Sequence, residues 1–349
     1  MQFQGQNQSV GIVFDCGMGN NIDEALALAL LYGLEGKNEA RVLALSVSKP
    51  NLKAAAFCEA IARFYAGASS GAFGAVGRTL PIGLADEGKL PEDTSLLIAP
   101  LARRGEDGKP LYAHGIEHLN DTAEVRALIR NALAQQSDQS CVVILTGPAT
   151  NLARVLDLPG TKDIIKSKVK LLAVAGGAYP NGAPSFNFKT DIAAAKKLLA
   201  EWPTPIVAAG EEVGAALLYP AASIEKDFAW TPAHPVVDAY RANQPMPYDA
   251  PTAAMAAVLQ AIRPTANDFK LSEPGVIRVL DDGRTQFTAS PEGKHRNLML
   301  DAAQREAVLK TYIELASAKP VPKQPRVRRQ QQQQVEPPKP VAPKPPANE

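Results

Sequence analysis

The side chains that could do chemistry are concentrated in one short turn near the start of the chain. The turn lies within the stretch VGIVFDCGMGNNIDEALALALL, residues 10–31. Its polar residues are Asp15, Asn20, Asn21, Asp23 and Glu24. A carboxylate can take a proton from water, and a side-chain amide can both donate to and accept from a polar ligand. The turn is therefore a candidate ligand site.

The flanking residues predict that a strand and a helix position this turn. Residues 10–14 are almost entirely apolar, which predicts a short buried strand. Asp23 and Glu24 fall in the first turn of the following helix, where the helix dipole favours carboxylates. Residues 25–31 are too apolar for a surface helix. This order begins an open α/β sheet, in which ligands bind outside the carboxyl ends of the strands.

Apolar runs and helical periodicity alternate along the rest of the chain. Further buried strands are predicted at residues 40–47, 141–145, 169–174 and 206–209. Helices are predicted at residues 52–65, 122–137, 191–202, 253–262 and 302–317. We also expect a hairpin with an Asp-Gly turn within residues 275–288. Pro81 and Gly83 make residues 80–84 an edge strand or a loop, and residues 87–115 are expected to form a loop.

Composition limits the classes of partner. The formal net charge of +1 argues against a surface for polyanions, so no nucleic acid is expected. No run of 18 apolar residues occurs, so no membrane span is expected. The first ten residues lack the basic and apolar regions of a signal peptide, which predicts a cytoplasmic protein or one exported with its signal removed. Three widely spaced cysteines predict neither a disulfide framework nor a zinc site.

The two ends of the chain differ in composition from its centre. We expect a flexible start at residues 1–9, one domain at residues 10–317 and a disordered tail at residues 318–349. The tail is rich in Pro, Gln, Lys and Arg, a composition that cannot bury a core. Such a tail could bind a protein partner through an aromatic groove, or dock on an anionic surface. A solvated tail without a partner is the other interpretation.

The turn resembles the amino terminus of the inosine/uridine-preferring nucleoside hydrolases. One branch of that family reads Asp-Thr-Asp-Met-Gly-Asn-Asp-x-Asp-Asp-Ala-Leu-Ala-Leu-Ala, and residues 15–29 fit it position by position. Asp15 and Asp23 keep the family residue. The family's second Asp, a calcium ligand and the base for water, is Gly17 here, and its last, another calcium ligand, is Glu24. The resemblance covers residues 10–315 and implies an open, mostly parallel, doubly wound α/β sheet.

Later segments carry the same resemblance. The Gly-Pro-x-Thr-Asn-Leu-Ala segment follows Thr146, whose carbonyl the resemblance makes a calcium ligand. A Gly-Gly-Ala turn precedes Asn187, a ribose ligand by resemblance, but the family's Glu before it is Ser185. Asn51 matches a ribose-binding Asn, and it also fits a helix N-cap; both interpretations stay open. The family's remaining calcium-binding Asp is Ala254.

The resemblance implies hydrolysis of the N-glycosidic bond of ribonucleosides and, in the family, calcium. Because Gly17 and Ala254 carry no carboxylate, we expect calcium binding of roughly millimolar affinity or weaker. Loss of the base would cost a further factor of about 10²–10⁴ in rate. The sequence therefore predicts a family member with impaired or no catalysis that retains a nucleoside- or ribose-binding site. The family commonly forms oligomers, which makes a homo-oligomer possible.

The candidate site residues divide by role. The catalytic candidates are Asp15 and Asp23, the substrate-binding candidates are Asp23, Asn20, Asn21, Asn51 and Asn187, and the calcium candidates are Glu24, Asp15 and Thr146. Two alternatives stay open. One is an active N-ribosyl hydrolase that activates water with another group, for which Glu24 and Asp249 are further candidates. The other is an interaction protein that acts through its Pro-rich tail.

Overall fold

The computed structural model describes residues 9–66 and 80–321. The expected flexible start (residues 1–9) and Pro-rich tail (residues 318–349) lie outside the described residues except for residues 9 and 318–321. Within the described ranges no helix has the length and apolar character needed to cross a membrane.

The strands of the described residues belong to one mixed sheet. They are β1 (Val10–Cys16), β2 (Ala40–Val47), β3 (Ile82–Leu84), β4 (Ala123–Glu124), β5 (Cys141–Leu145), β6 (Val169–Ala175), β7 (Ile206–Ala209), β8 (Lys270–Leu271), β9 (Gly275–Val279), β10 (Thr285–Ala289) and β11 (His295–Met299). Their order is β10-β9-β11-β7-β6-β5-β1-β2-β3-β4, and β8 pairs with β11. The strands from β11 to β4 along this order are parallel, and β9–β10 is the expected hairpin.

Helices connect and cover the strands. They are α1 (Ile22–Gly36), α2 (Leu52–Ala66), α3 (Ser95–Ala102), α4 (Val125–Ala134), α5 (Thr150–Val155), α6 (Thr161–Lys168), α7 (Phe186–Thr190), α8 (Ile192–Glu201), α9 (Glu211–Ala216), α10 (Ala221–Lys226), α11 (Pro235–Asn243), α12 (Ala253–Ile262) and α13 (Ala302–Ala316). A 3₁₀ turn lies at Leu119–Asp121.

Apolar layers cover both faces of the sheet. Side chains alternate along a strand, so Ile12 and Phe14 of β1 join the layer that contains α1, α2, α12 and α13. Val13 points to the opposite face and joins the layer that contains α4, α5, α6 and α8. Because strands buried on both faces need apolar residues throughout, they appear as the continuous apolar runs seen in the sequence. The predicted fold class, an open, doubly wound α/β sheet, is confirmed.

The first helix is buried on almost every side. All residues of α1 from Glu24 to Glu35 are buried, because α1 packs against α11, α12, α13 and β2. The expectation that residues 25–31 are too apolar for a surface helix is thereby confirmed. The burial also carries Glu24 into the protein, since it lies on the same helix.

Among the elements that differ from expectation are α3, β3 and β11. The residues 87–115 contain the helix α3, although a loop was expected there. Residues 82–84 form β3, which pairs with β2 on one side and with β4 on the other, so it is not an edge strand. Pro81 precedes the strand and removes no ladder hydrogen bond from it. The strand β11 was missed, because its sequence HRNLM is short and mostly polar.

Candidate functional site

Asp15 lies at the carboxyl end of the central strand β1 and is fully buried. Its Oδ1 accepts hydrogen bonds from Ser46 Oγ at 2.7 Å and from Asn151 Nδ2 at 2.8 Å. Its Oδ2 has no hydrogen-bond partner among the described residues. Burial raises the pKa of Asp15 to about 7, against the lowering effect of these two donors. Asp15 can therefore hold a proton near neutral pH.

Glu24 lies beneath the turn, on the first turn of α1. Its Oε1 accepts the backbone N–H of Gly17 at 2.6 Å and the hydroxyl of Thr146 at 3.4 Å. Its Oε2 is buried without a partner among the described residues. Burial, helped by the negative charge of Asp23, raises the pKa of Glu24 to about 8 against the lowering effect of the Gly17 N–H.

Asp23 links the turn to the distant helix α12. Its Oδ2 accepts the backbone N–H of Ala254 at 2.6 Å, and its Oδ1 accepts that of Met255 at 3.4 Å. These N–H groups belong to the first turn of α12, where they have no partner within the helix. Burial raises the pKa of Asp23 to about 7, although both backbone donors oppose this. The carboxylate of Asp23 is thus engaged as a helix cap.

Asn20 and Pro148 fill the space beside Gly17. The Cβ of a side chain at Gly17 would lie 2.8 Å from Asn20 Nδ2 and 2.9 Å from Pro148 Cδ. The Nδ2 of Asn20 is buried without a hydrogen-bond acceptor among the described residues. A carboxylate at Gly17 therefore requires movement of the Asn20 amide. At Gly147 a Cβ would lie 2.1 Å from Gly17 N, so only glycine allows the ends of β1 and β5 to approach this closely.

Asn187 and Thr146 are brought together. The Nδ2 of Asn187 donates to the carbonyl of Thr146 at 2.7 Å and to that of Ala175 at 2.8 Å. This amide thereby joins the carboxyl ends of β5 and β6. The hydroxyl of the buried Ser185 accepts the backbone N–H of Gly177 at 2.8 Å, so it supports the glycine turn after β6.

Asn51 acts as the N-cap of α2. Its Oδ1 accepts the backbone N–H of Lys53 at 2.8 Å and that of Ala54 at 3.2 Å. Its Nδ2 donates to the carbonyl of Pro91 at 2.8 Å and to Asp93 Oδ1 at 2.9 Å. Asn51 therefore makes the hydrogen bonds of an N-cap in the structure. The ribose-binding interpretation stays a prediction, and it requires a ligand to compete with these contacts.

The two remaining candidates lie apart from this network. Asn21 is exposed at the N-cap position of α1, where its side chain makes no capping hydrogen bond. Asp249 is not brought to the turn's hydrogen-bond network; its Oδ1 accepts the backbone N–H of Ala221 at 2.8 Å, at the start of α10. The contact of Asp249 is that of a structural residue.

Sequence reasoning missed three residues of the network. Ser46 and Asn151 are the donors to Asp15, and Lys49 is a buried lysine whose Nζ donates to Asn20 Oδ1 at 3.1 Å. The signal for Lys49 was its position, because it directly follows an apolar strand at the edge where ligands bind. Asn151 lies in the Gly-Pro-x-Thr-Asn-Leu-Ala segment, but the sequence assigned it no role at the site.

Several oxygen atoms that the family resemblance assigns to calcium accept hydrogen bonds from the chain. Among residues 9–66 and 80–321, no group of three or more His, Cys, Asp or Glu side chains could hold a metal ion. The Thr146 carbonyl and one oxygen of Glu24 already accept hydrogen bonds. Calcium needs six to eight oxygen ligands, with carboxylates among them. At the turn, Asp15 Oδ2 and Glu24 Oε2 are the buried carboxylate oxygens without a hydrogen-bond partner among the described residues.

Two cavities of the described residues lie away from the turn. The larger, of about 670 Å³, is lined by α2, α4, β2 and β3, and by Glu35, Glu59 and Arg63 among others. The smaller, of about 230 Å³, lies between α10 and α11. Neither is lined by Asp15, Asp23 or Glu24.

The open α/β sheet, with polar residues gathered at the carboxyl ends of β1, β5 and β6, places the chain in the class of doubly wound α/β ligand-binding proteins and enzymes. The sequence profile described as Inosine-uridine preferring nucleoside hydrolase matches residues 12–310. The chain therefore belongs to the inosine-uridine preferring nucleoside hydrolase family.

Solved structures agree with this membership. An inosine-uridine preferring nucleoside hydrolase from Bacillus anthracis has 16% identity and a TM-score of 0.62, over 88% of this chain and 99% of that one. A purine-preferring ribonucleoside hydrolase from Gardnerella vaginalis has 17% identity and a TM-score of 0.62, over the same shares. The effector protein XOO4466 has 13% identity and a TM-score of 0.61, over 90% of this chain and 94% of that one. No curated protein sequence matches the chain.

Proposed function

We propose that this chain is a nucleoside hydrolase homologue that has lost the calcium site and the hydrolysis that depends on it. It acts as a binding or structural protein, and its ligand class is a nucleoside or ribose-like small molecule. The carboxyl end of the sheet keeps the architecture of the family. The groups that would activate water are missing from it.

The single observation that carries the proposal is that the polar groups of the site form hydrogen bonds with other groups of the chain. Asp23 caps α12, and Asn187 holds the carbonyl of Thr146. Gly17 and Ala254 contribute only backbone N–H groups, which donate to Glu24 and Asp23. At these two positions, for which the family resemblance implies calcium-binding carboxylates, the chain presents hydrogen-bond donors that carboxylates of the chain accept.

Without a metal-bound water, hydrolysis needs another base. A general base must lie within hydrogen-bond reach of the water, and it must be unprotonated. Both carboxylate oxygens of Asp23 accept hydrogen bonds from backbone N–H groups. Asp15 and Glu24 are buried beneath the turn, and burial raises their pKa values to about 7 and about 8. A large fraction of each is therefore protonated at neutral pH, which weakens both as bases.

The test combines calorimetry with a hydrolysis assay on the full chain. Calcium is titrated up to millimolar concentration, and ribose release from inosine and uridine is followed with calcium and with a chelator. We expect no calcium heat and no ribose release above buffer. Micromolar calcium binding, or turnover that the chelator abolishes, would overturn the proposal.

The same assay separates the second candidate function, an active N-ribosyl hydrolase with another base. Its motivating observation is the unpartnered buried Oδ2 of Asp15 and Oε2 of Glu24, which could accept a proton. In that case turnover persists in the chelator and falls at least about 100-fold in Asp15→Asn or Glu24→Gln. Asp281→Asn, an exposed acid outside the turn and outside the candidate site residues, is the matched control.

A further inference from the structure

We propose that the ammonium group of Lys49 is an internal cation that holds the Asp15–Glu24 turn in place. It would have the positioning role that a metal ion has in a calcium-dependent site. The inference rests on the proposed loss of calcium. It assigns to Lys49 a positioning role that neither the motif nor the family resemblance indicated.

Burial is the first observation. Lys49 is only 1% exposed and is among the largest fully buried side chains of the described residues. Burying an ammonium group is costly unless hydrogen bonds and opposite charges compensate. Lysine side chains normally keep the charged end in water. A lysine that is buried at a candidate site therefore points to a specific partner inside the protein.

The contacts of Lys49 identify that partner as the turn. Its Nζ donates to Asn20 Oδ1 at 3.1 Å and to the carbonyl of Leu90. Burial lowers the pKa of Lys49, and the negative charges of Glu92, Glu24 and Asp93 oppose this shift. Glu24 is the only one of these three acids that lies within the turn motif itself. Lys49 makes its direct contact with the turn through Asn20, while the negative charge of Glu24 favours the charged form of the ammonium group.

The position of Asn20 connects Lys49 to the missing carboxylate. The Oδ1 of Asn20 is bound by Lys49, which directs its Nδ2 towards Gly17. This nitrogen lies 2.8 Å from where a Cβ at Gly17 would be. The Lys49–Asn20 pair therefore fills the side of the turn at which a carboxylate ligand at Gly17 would stand. The group beside Gly17 is thus the neutral amide of Asn20, and the ammonium group of Lys49 holds that amide from its other side.

A short segment closes this arrangement from above. The cover segment, residues 90–94, contributes the Leu90 carbonyl to Lys49 and the Thr94 hydroxyl, which donates to the carbonyl of Gly19 at 2.9 Å. Lys49 thereby joins the end of β2, the turn and the cover segment at one point. Removal of the ammonium group should loosen the turn without disturbing the strands.

The decisive experiment is a calcium titration on a restored background. Gly17→Asp combined with Ala254→Asp returns the two missing carboxylates. Lys49→Met is then added, because methionine keeps the length and removes the charge. We expect at least about tenfold tighter calcium binding when Lys49 is replaced, since an ammonium group bound to Asn20 of the turn repels a divalent ion bound there.

Lys53→Met on the same background is the matched control. Lys53 also reaches the cover segment, through Asp93 at 2.5 Å, but it does so from the surface. Its replacement should leave the calcium affinity unchanged. A restored chain whose calcium binding is unaltered by Lys49→Met, whether both forms bind equally or neither binds, overturns the proposal. Micromolar binding by the unaltered chain instead overturns the proposed function.

Amide hydrogen exchange gives a second readout in the otherwise unaltered chain. The N–H of Asn20 donates to the carbonyl of Gly17 at 3.0 Å and reports on closure of the turn. We expect Lys49→Met to accelerate its exchange at least about tenfold, while exchange in β1 stays unchanged. Lys49→Arg keeps the charge and should recover part of the protection. Equal acceleration across the whole chain would indicate global destabilisation and would contradict a role in positioning the turn.

Discussion

The carboxylate of Asp23 accepts the backbone N–H of Ala254 at 2.6 Å, across 231 residues of sequence. The position of Ala254 is the one at which the family resemblance implies a calcium-binding Asp. The contact therefore joins the turn at residues 15–24 directly to this position on α12.

This contact predicts the stability of two variants at Asp23. Asp23→Ala removes the cap of α12 and should lower the free energy of unfolding by about 1–2 kcal/mol. Asp23→Asn keeps an acceptor oxygen and should cost less. Urea unfolding measures both, with Asn21→Ala as the control, since its exposed side chain makes no capping bond. An unchanged midpoint for Asp23→Ala would show that the cap does not stabilise α12.

A second prediction concerns the pH dependence caused by Asp15. Its pKa is raised from 3.8 to about 7, so the folded protein keeps a proton that the unfolded chain loses. Its favourable contribution to stability is complete below pH 3.8 and is lost as the pH rises towards 7. Asp15→Asn imitates the protonated acid and avoids this loss. Between pH 4 and 7, the free energy of unfolding of the variant should rise relative to that of the unaltered chain by at most about 1.4 kcal/mol for each pH unit. The measurement is the free energy of unfolding of both proteins across this pH range. Parallel pH profiles would contradict a raised pKa of Asp15.

His234 should produce the opposite slope. Burial lowers its pKa from 6.5 to about 3, while its Nδ1 accepts the backbone N–H of Val236 at 3.2 Å. The unfolded chain binds a proton below pH 6.5 and the folded protein does not, so stability is lost as the pH falls from 6.5 towards 3. The loss attributable to His234 should approach about 1.4 kcal/mol per pH unit. His234→Asn keeps a capping oxygen for Val236 and should remove this component. Parallel profiles from pH 6 to 4 would contradict the prediction.

A fourth prediction follows from the bond between Asn187 and Thr146. Asn187→Ala leaves the carbonyls of Thr146 and Ala175 without this donor, which should cost about 1–3 kcal/mol. Guanidinium unfolding measures the loss. Thr190→Ala is a suitable control, because its hydroxyl only returns to the carbonyl of Phe186 on the exposed side of α7. Equal losses of unfolding free energy in the two variants would show that Asn187 does not stabilise the link between β5 and β6.

Much of the fold was predictable because the strands are buried on both faces. Such strands appear in the sequence as uninterrupted apolar runs, as in residues 141–145, whose bounds in β5 agree with expectation. The helix α3 was not predictable in the same way, since Pro100 lies inside it and few polar residues mark its periodicity. The strand β11 is held between β7 and β9 by tertiary pairing and not by its own composition.

The candidate site was predictable in its location and not in its contacts. The motif at residues 15–29 and the carboxyl ends of the strands indicated where the polar residues would gather. Which atoms are free and which are engaged depends on residues far apart in sequence, such as Asn51 with Pro91 and Asp93. The roles assigned to these residues in ligand binding stay predictions.

The sequence by itself determined the family, the doubly wound sheet and the absence of carboxylates at Gly17 and Ala254, because these follow from residue identity and from local hydrophobic pattern. Only the tertiary structure decided which groups lie beside these two positions. Asn20 turns towards Gly17, Lys49 is buried beside it, and Asp23 caps α12. The physical reason is that buried polar groups must find partners, and the available partners are set by the packing of distant segments.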